Sequence, residues 1–311
     1  MAHPDGVESL LDEAYGLISA LDLAATKTVL DRALELDFDD QELLYALKCT
    51  TWWTDVLKRA ESFRSPFEEG EFLIGRCKAF RNFTARLGPE RTRCILAFKQ
   101  FAFGSAIVKY ESMQTDIEQS DPELLLRLGR AYKGRGDYET AIQHLEAAAA
   151  TRRDDAAVLA ELGDTYALVN ETRRAKALFR EAFFINPQRI DVELLESGLI
   201  TRLTEKALEA GRGGIELTEW IPVYGEILGV LSVKRELKPI EAGKLKQSIY
   251  ELETELAADG ARRPILLPRL INRYFWLVDY YMNQKEEKAR VDELLLKIKL
   301  LDSNVHKMYI A

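Results

Sequence analysis

The chain has 311 residues, of which 47% are hydrophobic and 30% charged, and a formal net charge of −8. Such a balance suits a soluble globular protein with a sizeable core, and its mild acidity argues against general affinity for nucleic acid. Cys49, Cys77 and Cys94 lack metal or redox spacing, which speaks against a disulfide framework or zinc site and leaves them as small core residues. The opening MAHPDGVESLL has no apolar signal core, and the longest apolar stretch, 220–233, is broken by Glu226 and too short to cross a bilayer. The expectation is a soluble chain with no membrane insertion, cytoplasmic, with an exported mature form as the alternative.

Helical periodicity runs nearly throughout. A first helix over about 8–20 leads to a second ending in Leu30, Ala33 and Leu36, and the run Asp37-Phe38-Asp39-Asp40 punctuates it before a helix over 41–57. Ser65-Pro66 through Gly70 interrupts the periodicity. Two longer helices over 72–87 and 91–113 follow, split by the stop-and-restart signal Leu87-Gly88-Pro89. Charge is unevenly spread here. Residues 1–42 carry 11 acids against Lys27 and Arg32, whereas 72–109 carry eight bases against Glu90. These are two solvated faces of unlike sign, or the complementary surfaces of a homo-oligomer.

From residue 121 the pattern sharpens. Leu125, Leu128, Gly129 and Tyr132 recur at a constant offset as Leu159, Leu162, Gly163 and Tyr166; at the same offset Ala141, Leu145 and Ala148 recur as Ala175, Phe179 and Ala182; Pro187 closes the second unit. Glycine inside a helix costs roughly 1 kcal/mol against alanine. Gly129 and Gly163 therefore imply that a neighbouring helix comes too close for a side chain. No strand precedes them and no GK[ST] follows, so a phosphate loop is not the explanation. "GRGDY" reads as a turn, with Gly136 ending one helix (about 122–134) and Asp137 starting the next (about 138–152).

This spacing resembles the tetratricopeptide repeat, with its 34-residue pattern W-x2-L-G-x2-Y, A-x3-F and P, leucine standing for the Trp at Leu125 and Leu159. The resemblance implies an all-α fold, a right-handed α-solenoid of antiparallel helix pairs with extra C-terminal helices. It also implies a concave surface lined by the first helix of each pair, placing Leu126, Arg130 and Lys133, then Ala157, Ala160, Asp164, Ala167 and Leu168, along a partner-binding face. The expected partner is a peptide or helical segment of another protein. Tail-binding members of this family place asparagine where Asp164 stands, which weakens that particular specificity here.

Beyond Pro187 the pattern decays. A capping helix is expected over 190–209, "AGRGG" at 210–214 marks a boundary, and helices are expected over 217–236, 239–258, 264–283 and 285–301, the last two as a degenerate pair. The organisation is thus 1–120, divergent hairpins with longer helices; 121–210, the clear repeat pair with its cap; and 211–311, a C-terminal helical region. His3, His144 and His306 are isolated, with His144 expected at the surface, and the pair Glu286-Glu287 falls in solvated helix. With no nucleophile–base pair, metal spacing or cofactor loop, the chain reads as non-enzymatic, without metal or cofactor. Aromatic clusters at Trp52-Trp53, at Phe98, Phe101 and Phe103, and at 274–281 read as core packing or as an apolar interface. A small-molecule or lipid carrier built on the aromatic C-terminal helices is a further reading.

Overall fold

The computed structural model describes residues 4–113, 121–233, 235–285 and 288–311. His3 and the pair Glu286-Glu287 lie outside them. Among the described residues every regular element is helical. The chain divides into two compact units, Met1–Ala148 and Ala149–Ala311, the boundary falling near the end of α7.

The first unit contains α1 (Pro4–Ser19), α2 (Leu23–Leu36), α3 (Gln41–Ala60), α4 (Pro66–Thr84), α5 (Thr92–Glu111), α6 (Pro122–Arg135) and most of α7 (Tyr138–Thr151). Each of α1 to α6 packs on its neighbour in sequence, and α1 also packs on α5. Short polar residues set the starts. Asp22 accepts the backbone N–H of Ala25 at 2.8 Å, and Asp40 that of Leu43 at 2.7 Å. Two of the N-terminal acids are therefore helix caps. Ser65 caps α4 and Pro66 occupies its first turn, so the apparent interruption before residue 72 is a helix start, and α4 begins earlier than its periodicity suggests. Arg93 on α5 reaches both Glu8 and Asp12 on α1, pairing the acidic and basic segments within one chain.

An aromatic cluster fills the middle of this unit. Trp53 is fully buried between Phe80 and Phe101, with ring centroids 5.4 and 5.6 Å away, while the half-buried Trp52 lies over Phe83. Both tryptophans thus belong to the packing. Cys49 and Cys94 are fully buried in the same core, and Cys77 is half-buried. A hydrogen bond with the adjacent Cys49 side chain, together with burial, pushes the Cys94 thiol far above its ordinary range, which keeps it protonated.

The second unit contains α8 (Ala156–Leu168), α9 (Thr172–Ile185), α10 (Gly198–Glu209), α11 (Leu217–Ile227), α12 (Pro239–Ala258), α13 (Arg263–Asn283), α14 (Lys288–Leu301) and α15 (Ser303–Ile310). Helix α11 ends well before residue 236, where Leu228 and the left-handed Gly229 (φ 64°) stop it. "AGRGG" joins α10 to α11, which pack on each other, with Gly211 and Gly214 both at positive φ. Buried charge ties α9 to the C-terminal helices. Arg180 pairs with Asp279 on α13, lies 3.6 Å from Glu226 on α11 and sits 4.6 Å from the Trp276 ring centroid. Trp276 meets Phe184 at a tilt of 39° with ring centroids 4.3 Å apart, and the Arg273 guanidinium lies 3.6 Å from the Phe184 centroid. The result is a pair of aromatic rings, one from α9 and one from α13, each with an arginine against it. A second bridge joins Glu219 of α11, fully buried, to Arg269 of α13 and to Gln188.

Glycine positions and the buried arginine each carry a consequence for stability. A Cβ at Gly129 would overlap the Leu145 side chain, whereas one at Gly75, exposed within α4, would meet nothing within 4 Å. Gly129→Ala is expected to destabilise by about 1–3 kcal/mol and Gly75→Ala to stabilise by up to about 1 kcal/mol in urea titrations. Arg180→Ala leaves Asp279 and Glu226 buried without their shared cation, and is expected to cost about 3–5 kcal/mol in the same measurement.

Candidate functional site

The first hairpin is closed by its small residues. Leu128, Ala141, Leu145 and Ala148 are fully buried, and Leu145 occupies the space that a side chain at Gly129 would need. Gly134, also on α6, faces the Phe103 ring of α5, which leaves no room for a Cβ. At the turn Gly136 takes φ 99° and the Asp137 carboxylate accepts the Thr140 N–H at 3.2 Å. Tyr132 donates its hydroxyl to Glu111, and its ring stacks on His144 at 5.4 Å with an interplanar angle of 9°.

His144 corrects the expectation of a surface position, since it is 4% exposed. Its neighbour Tyr132 supplies a flat face, and the α6–α7 crossing at Gly129 brings that face within reach. Burial holds the imidazole below its ordinary pKa, against the opposing pull of Glu111 and Asp137.

The second hairpin repeats the construction. A Cβ at Gly163 would stand 3.3 Å from the Ala175 carbonyl oxygen and 3.3 Å from Leu178 Cβ, so α8 and α9 touch nearly backbone to backbone. Ala175, Phe179 and Ala182 are fully buried, and Leu162 and Tyr166 nearly so. The turn repeats its closing backbone bond, although Glu171 makes no side-chain cap like that of Asp137. The Asp137 N–H donates to the Tyr132 carbonyl at 2.9 Å, and the Glu171 N–H donates to the Tyr166 carbonyl at 2.8 Å. Asn170, the counterpart of Gly136 in the second unit, takes the left-handed conformation at φ 65°. Asparagine is among the few residues that adopt it readily, and this was the signal available for placing the second turn. Pro187 is buried and opens a 3₁₀ turn that contacts both α8 and α9.

The residues expected to line a partner-binding face are placed as follows. On α6, Leu126 and Lys133 are buried and Arg130 is half-buried; both bases are already engaged within the fold. On α8, Ala157 and Ala160 are buried, whereas Ala167 and Leu168 are half-buried. Asp164 is fully buried and reads backbone: one carboxylate oxygen accepts the Glu196 N–H and the other the Ser197 N–H, each at 2.8 Å. Periodicity carries no sign of this contact, because residues 190–197 fall outside the repeat pattern.

Elsewhere in the second unit, an open cleft of about 750 Å³ lies among α11, α13, α14 and α15, with Val278, Met282, Leu295 and Tyr309 in its walls. Among the described residues no three His, Cys, Asp or Glu side chains gather as metal ligands would, and no helix is long and apolar enough to cross a membrane.

The buried His144 makes stability sensitive to acid. Its folded pKa lies below that of the unfolded chain, so the unfolded state binds the proton first and stability falls as pH drops through about 6.5. His144→Gln is expected to flatten the decline of the urea midpoint between about pH 7.5 and 5.5 relative to the wild type.

A family model described as Tetratricopeptide repeat matches residues 134–198. No curated protein matches the chain. That match begins at the end of α6 and takes in α8 and α9. With glycine-register crossings and equivalent turn bonds one repeat period apart, this stretch of the all-α chain is a tetratricopeptide repeat segment.

Proposed function

We propose that the chain is a non-enzymatic scaffold that holds a segment of a partner protein against the first helices of its repeats. The observation that supports this reading is the pair of hairpins in tetratricopeptide register, because the first helix of a hairpin of this kind presents a face suited to peptide or helix docking. Each hairpin offers its own share of the face. On the first, Leu126, Arg130 and Lys133 lie along α6; on the second, Ala157, Ala160, Asp164, Ala167 and Leu168 lie along α8. Arg130, Ala167 and Leu168 are the positions with side chains part-open to solvent, so they are the ones a partner would meet first.

The intramolecular ion pairs of Arg93 with Glu8 and Asp12 engage charges that an assembly through the acidic and basic segments would otherwise use, which favours the scaffold over the oligomer.

The test is affinity capture from a native extract with wild type, Leu168→Glu and Ile240→Glu as baits, compared by quantitative mass spectrometry. Ile240 is 77% exposed on α12 and serves as the surface control. A protein captured by wild type and by Ile240→Glu, but reduced roughly tenfold with Leu168→Glu, is the expected result, as for loss of one buried anchor. Equal recovery with all three baits removes the α8 face from the account.

A further inference from the structure

A third unit at the same period would begin its first helix at Ile190, the position one period after Ala156. The chain does otherwise: α10 begins at Gly198, and residues 190–197 are drawn out instead. Ile190 (φ −92°, ψ 120°), Leu195 (φ −82°, ψ 130°) and Ser197 (φ −69°, ψ 139°) are extended or nearly so, separated by one 3₁₀ turn over Val192–Leu194. The side chains sort by chemistry. Ile190, Leu195 and Ser197 are buried, whereas Asp191, Glu193 and Glu196 face solvent.

An extended segment has backbone N–H groups that no helix satisfies, and buried ones need an acceptor. Those of Glu196 and Ser197 find one in Asp164, a fully buried carboxylate at a face-lining position of α8. An apolar-in, acid-out strand of chain whose main chain is read by a helix side chain is how a repeat scaffold would hold a peptide in trans. Here the chain itself supplies the peptide.

Building on the scaffold reading above, we propose that residues 190–197 are a cis ligand of the second repeat, occupying the Asp164 face that a partner segment would take. The partner that fits is an extended acidic segment with apolar residues at its first and sixth positions and free main-chain N–H groups toward its end, as in Ile-Asp-Val-Glu-Leu-Leu-Glu-Ser. It gains the site by displacing the resident copy.

The test supplies that octapeptide, fluorescently labelled and capped at both ends, to the full chain by fluorescence anisotropy. Three proteins are compared: wild type, a variant with 190–197 replaced by a Gly/Ser stretch of equal length, and that variant carrying Asp164→Ala. The replaced variant is expected to bind roughly tenfold or more tightly than wild type, and Asp164→Ala to reverse the gain, as for loss of charge-assisted hydrogen bonds. Equal binding by all three, or binding by none while circular dichroism shows the helices intact, overturns the proposal.

Should the replacement unfold the chain, hydrogen exchange on full-length wild type and Asp164→Asn decides. Roughly tenfold faster exchange at the Glu196 and Ser197 amides, with α8 and α9 unchanged, supports a detachable segment. Unchanged exchange, or faster exchange throughout α8 and α9, overturns it. The scaffold reading stands or falls separately: Leu168-sensitive capture with no peptide binding removes only the cis ligand, and peptide binding without cellular capture removes only the scaffold.

Discussion

The contact between Leu145 and the bare backbone of Gly129 sets the distance between α6 and α7, and the approach of Ala175 and Leu178 to Gly163 does the same for α8 and α9. Helices brought this close leave no gap for water, so the residues flanking each crossing must be apolar and fully packed. The burial of Leu128, Ala141 and Ala148 in one hairpin, and of Ala175, Phe179 and Ala182 in the other, is the direct result. It also fixes the turn. A tight pair must reverse direction within a few residues, and both hairpins do so through one residue at positive φ followed by an N–H returned to the tyrosine carbonyl.

Charge does the corresponding work where the repeat ends. Helix α9 would meet another repeat if the pattern continued, but it meets α11 and α13, whose contacts are arginine, carboxylate and aromatic planes. Buried ions of this kind are sensitive to geometry, since each needs its partner in place. They define which helices can cover α9 more sharply than aliphatic packing would. Half-buried beside this junction, Arg273 is held down to a pKa of about 10 by burial and by the nearby Arg269.

The hairpins were legible because a packing constraint repeats at a fixed period and leaves glycine and alanine in register. The same legibility failed wherever a residue's role depends on a neighbour distant in sequence. His144 follows a polar pattern along α7, yet a stacking face on Tyr132 draws it inward. Ser65-Pro66 disturbs hydrophobic periodicity, and for that reason a helix start resembled a gap. The acidic and basic segments were readable as opposites; that Arg93 joins them within the chain depends on α1 packing on α5, which local pattern does not encode. On the candidate face, periodicity identified the helix positions, but the burial of Lys133 and the backbone contacts of Asp164 arise from tertiary packing and lie outside any local rule.

The placement of the four tryptophans carries an optical consequence. Trp52 and Trp53 sit among phenylalanine rings in the first unit, whereas in the second Trp220 and Trp276 each lie beneath an arginine, at 4.1 and 4.6 Å. An indole among hydrocarbon rings and an indole facing a guanidinium differ in the field acting on their excited states. The two halves of the chain therefore carry separate intrinsic fluorophores in contrasting environments. Emission wavelength can tell which half has loosened, with no label attached and no residue replaced.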